Sequence, residues 1–341
     1  MNALKNLLIL AIVAFNSLSY AQDSHFSHIH ASPIHNNPAW TGVFNNNFRL
    51  IMNYRNQWKS PTSNFNTFNL SFDTKYVIPK TKLSLNAGVS FFSDNGGDLH
   101  FGNNQYNFFG GSTIPLGRGN FISIGMQTGM IDHHIDISKV QSIDEEPLLQ
   151  SMNLSRKSFD FSTGLSYYKS FNKENNLYAG FAVYHLNRPN VSIVEEEQVA
   201  LYKRLTANLG VNWIFKNRMG IQPSVLMYWQ GPHKEINMGS FVSMPIGESH
   251  SKYSTGPDMR LFFGAWFRYY VSNQFSSGFD ALILSARYDV EHFILSFSCD
   301  ITLSQLTNGT SFIGSPELSM IYSFSTEKKK KVNSRMDCPK F

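Results

Sequence analysis

No uncharged apolar run in the chain approaches the roughly 18–20 residues that a membrane-spanning helix needs, so a polytopic helical membrane protein is excluded. Charge is scarce too. Only 16% of the 341 residues are Asp, Glu, Lys or Arg, against about 25% in an average soluble domain. Cysteine occurs twice, as Cys299 and Cys338. A chain this long needs no disulfide framework, and the two read as separate thiols. There is no Gly-x-Ser-x-Gly elbow, no His-Glu-x-x-His and no P-loop. Neither a Ser/His/Asp site nor a carboxylate pair follows from residue order. An enzyme is therefore not expected, and no cofactor is implied. Basic residues cluster only at Lys328, Lys329, Lys330 and Lys331, which argues against nucleic acid as a partner.

Aromatic and amide side chains fill the space. Phe and Tyr supply 29 and 15 residues, too many for a disordered chain. Mean hydropathy is nevertheless -0.23, because Asn, Ser, Thr and Gly occur in quantity. The combination suggests one large all-β domain.

The N-terminus carries an export signature. Lys5 gives a positive start, Leu7 to Phe15 an apolar stretch too short to span a bilayer, and Ser19-Tyr20-Ala21 a small-x-small cleavage site before Gln22. Residues 1–21 are read as a signal peptide. No Cys follows the cleavage site, so a lipoprotein anchor there is not expected. Loss of Lys5 lowers the formal net charge from +5 to +4.

One pattern then recurs. Residues 83–91 place Leu83, Leu85, Ala87, Val89 and Phe91 on one parity, with Ser84, Asn86, Gly88 and Ser90 on the other. Residues 122–130, 205–215 and 293–303 alternate likewise. A period of two means strands with one apolar and one polar face. They run to about ten residues, the length that crosses a bilayer at a barrel's tilt and longer than the five or six usual in soluble sheets. The polar parity favours amides, hydroxyls and Gly, as in a lumen where side chains satisfy one another. About fourteen such segments can be placed, from near residue 52 to near residue 320. An even number closes an antiparallel barrel and leaves no edge in lipid. A β-sandwich or propeller would have shorter strands or an internal repeat, and no repeat is visible.

The expectation is a transmembrane antiparallel β-barrel of about fourteen strands over residues 46–325, preceded by a periplasmic or plug-like segment, 22–45, and followed by a basic periplasmic tail, 326–341. Its setting would be outer-membrane lipid. Aromatic girdles are read at Tyr54 and Trp58, Tyr167 and Tyr168, Tyr228 and Trp229, and Tyr269 and Tyr270. Long connections near 132–157, 187–200 and 245–259 are expected on the extracellular side. The 22–45 segment has too few apolar runs to be a strand and is expected to fold into or beneath the lumen, helping to close its periplasmic end.

Little else suggests chemistry. His25, His28, His30 and His35 are dense, and His133-His134 lies between Asp132 and Asp136. No Cys or further acidic partner joins the first group, which precedes the barrel, and the second sits at a strand end, so no metal is expected at either. Glu195-Glu196-Glu197 reads as a solvated acidic loop. Asp300 and Arg287 lie on the inward parity and are expected to pair across strands. The Lys328–Lys331 run is either solvated or, with Phe341, a docking element for a periplasmic partner.

Several segments carry a resemblance. Asn36-Asn37-Pro38-Ala39-Trp40-Thr41-Gly42, Asn53-Tyr54-Arg55-Asn56-Gln57-Trp58, Tyr184-His185-Leu186-Asn187-Arg188-Pro189-Asn190, Gln222-Pro223-Ser224-Val225-Leu226, Gly264-Ala265-Trp266-Phe267-Arg268-Tyr269-Tyr270 and Cys338-Pro339-Lys340-Phe341 are together similar to the PorP/SprF family of Bacteroidota outer-membrane proteins. The resemblance implies a component of the type IX secretion and gliding system. It would work with periplasmic secretion components or with a secreted surface adhesin. It brings no catalytic residues, and it points to Asn37, Pro38, Trp40, Cys338 and Pro339 as partner-binding residues beside the Lys run and Phe341. A general porin or solute channel is the alternative reading.

Overall fold

In the computed structural model the described residues are 23–27, 30–57, 65–96, 101–136, 153–172, 174–193, 198–246, 259–272, 277–303 and 314–326. Fourteen strands form one closed antiparallel barrel. They are β1 (Phe48–Gln57), β2 (Phe65–Val77), β3 (Ser84–Gly96), β4 (Phe101–Gly117), β5 (Asn120–Asp136), β6 (Asn153–Ser170), β7 (Asn176–Tyr184), β8 (Arg204–Ile214), β9 (Gly220–Gln230), β10 (His233–Ile246), β11 (Met259–Ser272), β12 (Gly278–Val290), β13 (Phe293–Thr302) and β14 (Gly314–Phe324). Each of the fourteen segments read from alternation lies in one of them. Neighbours in sequence pair, and β1 meets β14 from Phe48↔Phe324 to Arg55↔Glu317 to close the wall.

Alternation becomes two faces. On β3, Leu85 and Val89 are exposed on the outside while Ser84 and Asn86 are buried inside. On β8, Leu209 and Trp213 face out and Thr206 and Asn208 face in. Water would penalise such a surface, and hydrocarbon does not. Cys299 is a free thiol on the partly exposed parity of β13.

Turn chemistry sets the ends. The β4–β5 hairpin turns through Gly117, Arg118 and Gly119, at φ of 87°, 50° and 78°, a left-handed run that Gly tolerates. This turn, the two-residue turn after β12, the start of β1 and the end of β14 share one end of the barrel. The connections between β5 and β6 and between β7 and β8 leave from the other. Short turns mark the periplasmic rim and long loops the extracellular one, which orients the molecule.

Three expectations need correction. The connection after β10 leaves from the periplasmic end, because β10 starts beside Gln230 at the far rim and descends past Gly220. Long connections therefore do not all lie outside. In Tyr167-Tyr168 and Tyr228-Trp229, period two sends one ring out and the next in: Tyr168 and Tyr228 are buried in the lumen at 4% exposure each and belong to no girdle, while Trp58 lies outside the described residues. Asp300 and Arg287 do not pair. The β12–β13 register sets Arg287 opposite Ser296, and Asp300 opposite Ile283. Arg287 instead pairs with Asp289 at 2.7 Å, and Asp300 with Arg268 and Arg55 at 2.7 and 2.9 Å.

Candidate functional site

The lumen is filled from within the chain. Residues 23–27 and 30–44 run down its length, from the extracellular rim to the level of β1's first residues, with a short helix α1 (Pro33–Asn36) and a 3-10 turn (Pro38–Trp40) midway. Local sequence explains both. Pro33 and Pro38 open their turns, where a missing amide costs nothing. The Asn37 side chain accepts from the Ala39 amide at 2.9 Å, capping the second turn.

At the extracellular end, Asp23 Oδ2 lies 2.6 Å from His185 Nε2 and 3.2 Å from Arg204 Nη1. The other ring nitrogen of His185 meets Asp160 at 2.9 Å. Asp23 and His185 lie outside the strands. Burial opposes the Asp23 carboxylate, but His185 and Arg204 outweigh it and hold its pKa far below the usual carboxylate range. Burial likewise opposes the His185 imidazolium, yet Asp23 and Asp160 lift its pKa to about 9.

Next along the segment, polar groups bridge the seam where the barrel closes. The Ser27 amide donates to Glu317 at 2.9 Å, and its hydroxyl to Asp300 at 2.6 Å. Arg55 on β1 binds both Asp300 and the His25 carbonyl, and His25 Nε2 lies 3.0 Å from Glu235. Asn53 donates to the Ala31 carbonyl and to Ser319 of β14, each at 2.9 Å. Buried charges are thus compensated by opposite charges or main chain.

Midway, three inward glycines form a seat. A Cβ at Gly125 would lie 2.3 Å from the Pro38 carbonyl oxygen, one at Gly164 2.0 Å from Asn37 Oδ1, and one at Gly180 2.7 Å from Asn37 Nδ2. Only bare backbone leaves room for the turn. Asn37 Nδ2 donates to the Leu165 and Phe181 carbonyls at 3.1 and 3.4 Å. Tyr228 Oη donates to Asn36 Oδ1 at 2.7 Å, and Tyr184 Oη to the His35 carbonyl at 2.8 Å.

Below the seat, Trp40 and Val43 enter an apolar cluster with Tyr168, Tyr178, Leu226 and Tyr228. Arg49 holds Asp73 at 2.7 Å and the Trp40 carbonyl at 3.1 Å, while the Gly42 amide donates to Asp73 at 2.7 Å. On the other side of the lumen, Phe241, Phe262, Trp266 and Ile283 pack together. The lumen is therefore not uniformly polar. Its aromatic patches are where the wall meets its own filling.

Of the residues singled out in the sequence, Asn37, Pro38 and Trp40 converge in this seat and are buried against the wall. Lys328, Lys329, Lys330, Lys331, Cys338, Pro339 and Phe341 lie outside the described residues, as do His28 and Glu195–Glu197. The remaining histidines of that group scatter: His25 on Glu235, His30 edge-on to Tyr178 with centroids 6.2 Å apart, His35 stacked on Phe92 at 4.8 Å. Among the described residues no three His, Cys, Asp or Glu side chains gather to hold a metal. Sequence reading missed Asp23, His185, Arg204, Glu235, Arg268 and the glycine seat. A signal existed for Arg204, Glu235, Arg268 and the glycines, which stand on the inward parity of strands where amides dominate; Asp23 and His185 lie outside the strands and carry no such signal.

Comparison with known proteins adds a family. The model of the type IX secretion system membrane protein PorP/SprF matches residues 18–322. No protein of curated function matches the chain in sequence. Among solved structures, the chain is similar to the toluene transporter TodX of Pseudomonas putida, at 8% identity and TM-score 0.47, covering 89% of this chain and 98% of that one. It is also similar to CdiB from Escherichia coli, at 11% identity and TM-score 0.48, covering 81% of this chain and 62% of that one. The protein resides in the outer membrane, as its closed barrel, apolar exterior and family require. The chain belongs to the PorP/SprF family of type IX secretion system membrane proteins.

Proposed function

We propose that this barrel serves type IX secretion as a closed partner rather than as a conduit. It assists secretion or surface attachment of a large adhesin, or couples the outer membrane to the periplasmic ring. The observation that supports this reading is the occupied lumen: Asp23, Ser27, Asn37 and Gly42 are bonded to the wall from rim to rim. A general porin needs an open path, and the seat at Gly125, Gly164 and Gly180 is filled by Asn37 and Pro38. The tail 326–341, with Lys328–Lys331, Cys338, Pro339 and Phe341, is the proposed periplasmic docking element, since β14 ends at Phe324 on the periplasmic rim. Asn37, Pro38 and Trp40 would meet a partner only if the segment left the lumen.

Two measurements test the proposal. The purified native barrel should show no steady conductance in planar bilayers. Removing it from cells should then deplete either one surface adhesin or the whole set of type IX cargo, which separates the dedicated role from the core one. Steady ohmic conductance of the native protein, or unchanged secretion without it, would overturn the proposal.

A further inference from the structure

The wall reads the stretch Asp23–Ser27 through its main chain as well as through its side chains. Gln230 accepts from the Asp23 amide at 3.0 Å, Arg55 donates to the His25 carbonyl at 2.7 Å, Glu317 accepts from the Ser27 amide at 2.9 Å, and Asn237 donates to the Ser27 carbonyl. Any extended peptide offers such groups. Selectivity rests on side chains: Ser24 and Ser27 donate to Asp94 and Asp300, His25 meets Glu235, and the one anion held is the Asp23 carboxylate, 2.6 and 3.2 Å from His185 and Arg204.

The receptor half of that contact belongs to the wall and is braced without Asp23. His185 Nδ1 lies 2.9 Å from Asp160, and the His185 amide donates to Ser162 Oγ at 3.3 Å. Its φ of 56° is left-handed, a conformation that a non-glycine residue keeps only where its surroundings fix it. The Arg204 guanidinium lies 4.2 Å over the Tyr184 ring, so it too is pre-placed. Asp23 contributes a single side chain to that contact. The seat at Asn37 is a separate attachment deeper in the lumen.

We infer that the extracellular half of the lumen is a binding site for an extended peptide bearing a carboxylate, and that Asp23–Ser27 occupies it in cis. Leaving Arg204 buried without an anion is unfavourable. The site therefore exchanges one carboxylate for another rather than standing empty. A peptide arriving at the extracellular rim can displace Asp23 while the Asn37 seat still blocks the lumen below. The inference rests on the fold and holds for either role in secretion.

A fluorescein-labelled hexapeptide with the sequence Gln22–Ser27 is the probe, measured by anisotropy on the purified full-length barrel. Asp23→Ala should bind it at least about tenfold tighter than the native protein, because weakening the cis occupant raises the fraction of open site. Adding Arg204→Met to that variant should abolish binding. The hexapeptide with Asn in place of Asp should not bind, and acetate at the peptide's concentration should not displace the probe. Equal affinity of native and Asp23→Ala barrels overturns the inference. So do binding that survives Arg204→Met, equal binding of the amide peptide, or displacement by acetate. If Asp23→Ala yields no folded barrel, Asp23→Asn replaces it with the same expectations. Failure of both to fold makes Asp23 a structural pair and also overturns the inference.

Discussion

Gly164 has no side chain where Asn37 comes closest to the wall, and an added Cβ would stand 2.0 Å from Asn37 Oδ1. Gly164→Ala should therefore push the turn out of its seat at a cost of roughly 1–3 kcal/mol, the usual range for overpacking. The urea midpoint of the folded barrel reports it; an unchanged midpoint would mean that Asn37 shifts freely. His185 supplies a second residue-scale prediction. Its pKa rises from the ordinary 6.5 to about 9 in the folded protein. The stabilisation is full below 6.5 and is lost as pH climbs through about 9. Asp23 is shifted the other way, so its contribution is present above the ordinary carboxylate pKa and fails only in strong acid. Between pH 7 and 10 the native barrel should thus lose heat stability, read from its gel-mobility transition. His185→Gln should flatten that slope, and an equal slope in the variant would refute the assignment.

At the scale of elements, the N-terminal segment and the strands do different work. Every strand can satisfy its backbone through its two neighbours, so the wall closes without the segment. What the segment adds is occupancy, and a polar bridge across the β1–β14 seam through Ser27, Asp300, Arg55 and Glu317. Deleting residues 23–44 should leave a barrel that still inserts but conducts in planar bilayers, with a lowered thermal transition. A barrel that stays electrically silent would show that Phe241, Phe262, Trp266 and Ile283 suffice to seal it. The strands were legible in sequence because a period of two survives any choice of neighbours. The turn at Asn37-Pro38 was legible only as a motif, since its partners Leu165 and Phe181 lie on β6 and β7, far along the chain.

For the whole molecule, sidedness organises what remains. Both the first and last strands have their free ends on the periplasmic rim, whereas Asp23 lies beside Gln230, His185 and Arg204 at the extracellular rim. The N-terminal segment therefore traverses the barrel, whereas β14 ends on the periplasmic rim. Truncation at Thr326 should leave insertion and heat stability intact, because β14 is complete at Phe324. It should abolish co-purification with periplasmic secretion components. Undiminished recovery of those components would remove the tail from the docking interface.

Low charge with a negative mean hydropathy has a plain origin in this architecture: two opposite faces share each strand, and averaging over the chain cancels them. The sequence by itself determined the strand number, the membrane setting and the family resemblance, since all three depend on local alternation or on contiguous motifs. Tertiary structure alone decided which residues meet inside. Asp300 binds Arg55 and Arg268 rather than Arg287, and Asp23 binds His185 and Arg204. The physical reason is register and closure. A one-residue shift in pairing turns every inward side chain outward, and only the closed ring brings β1, β13 and β14 around Ser27.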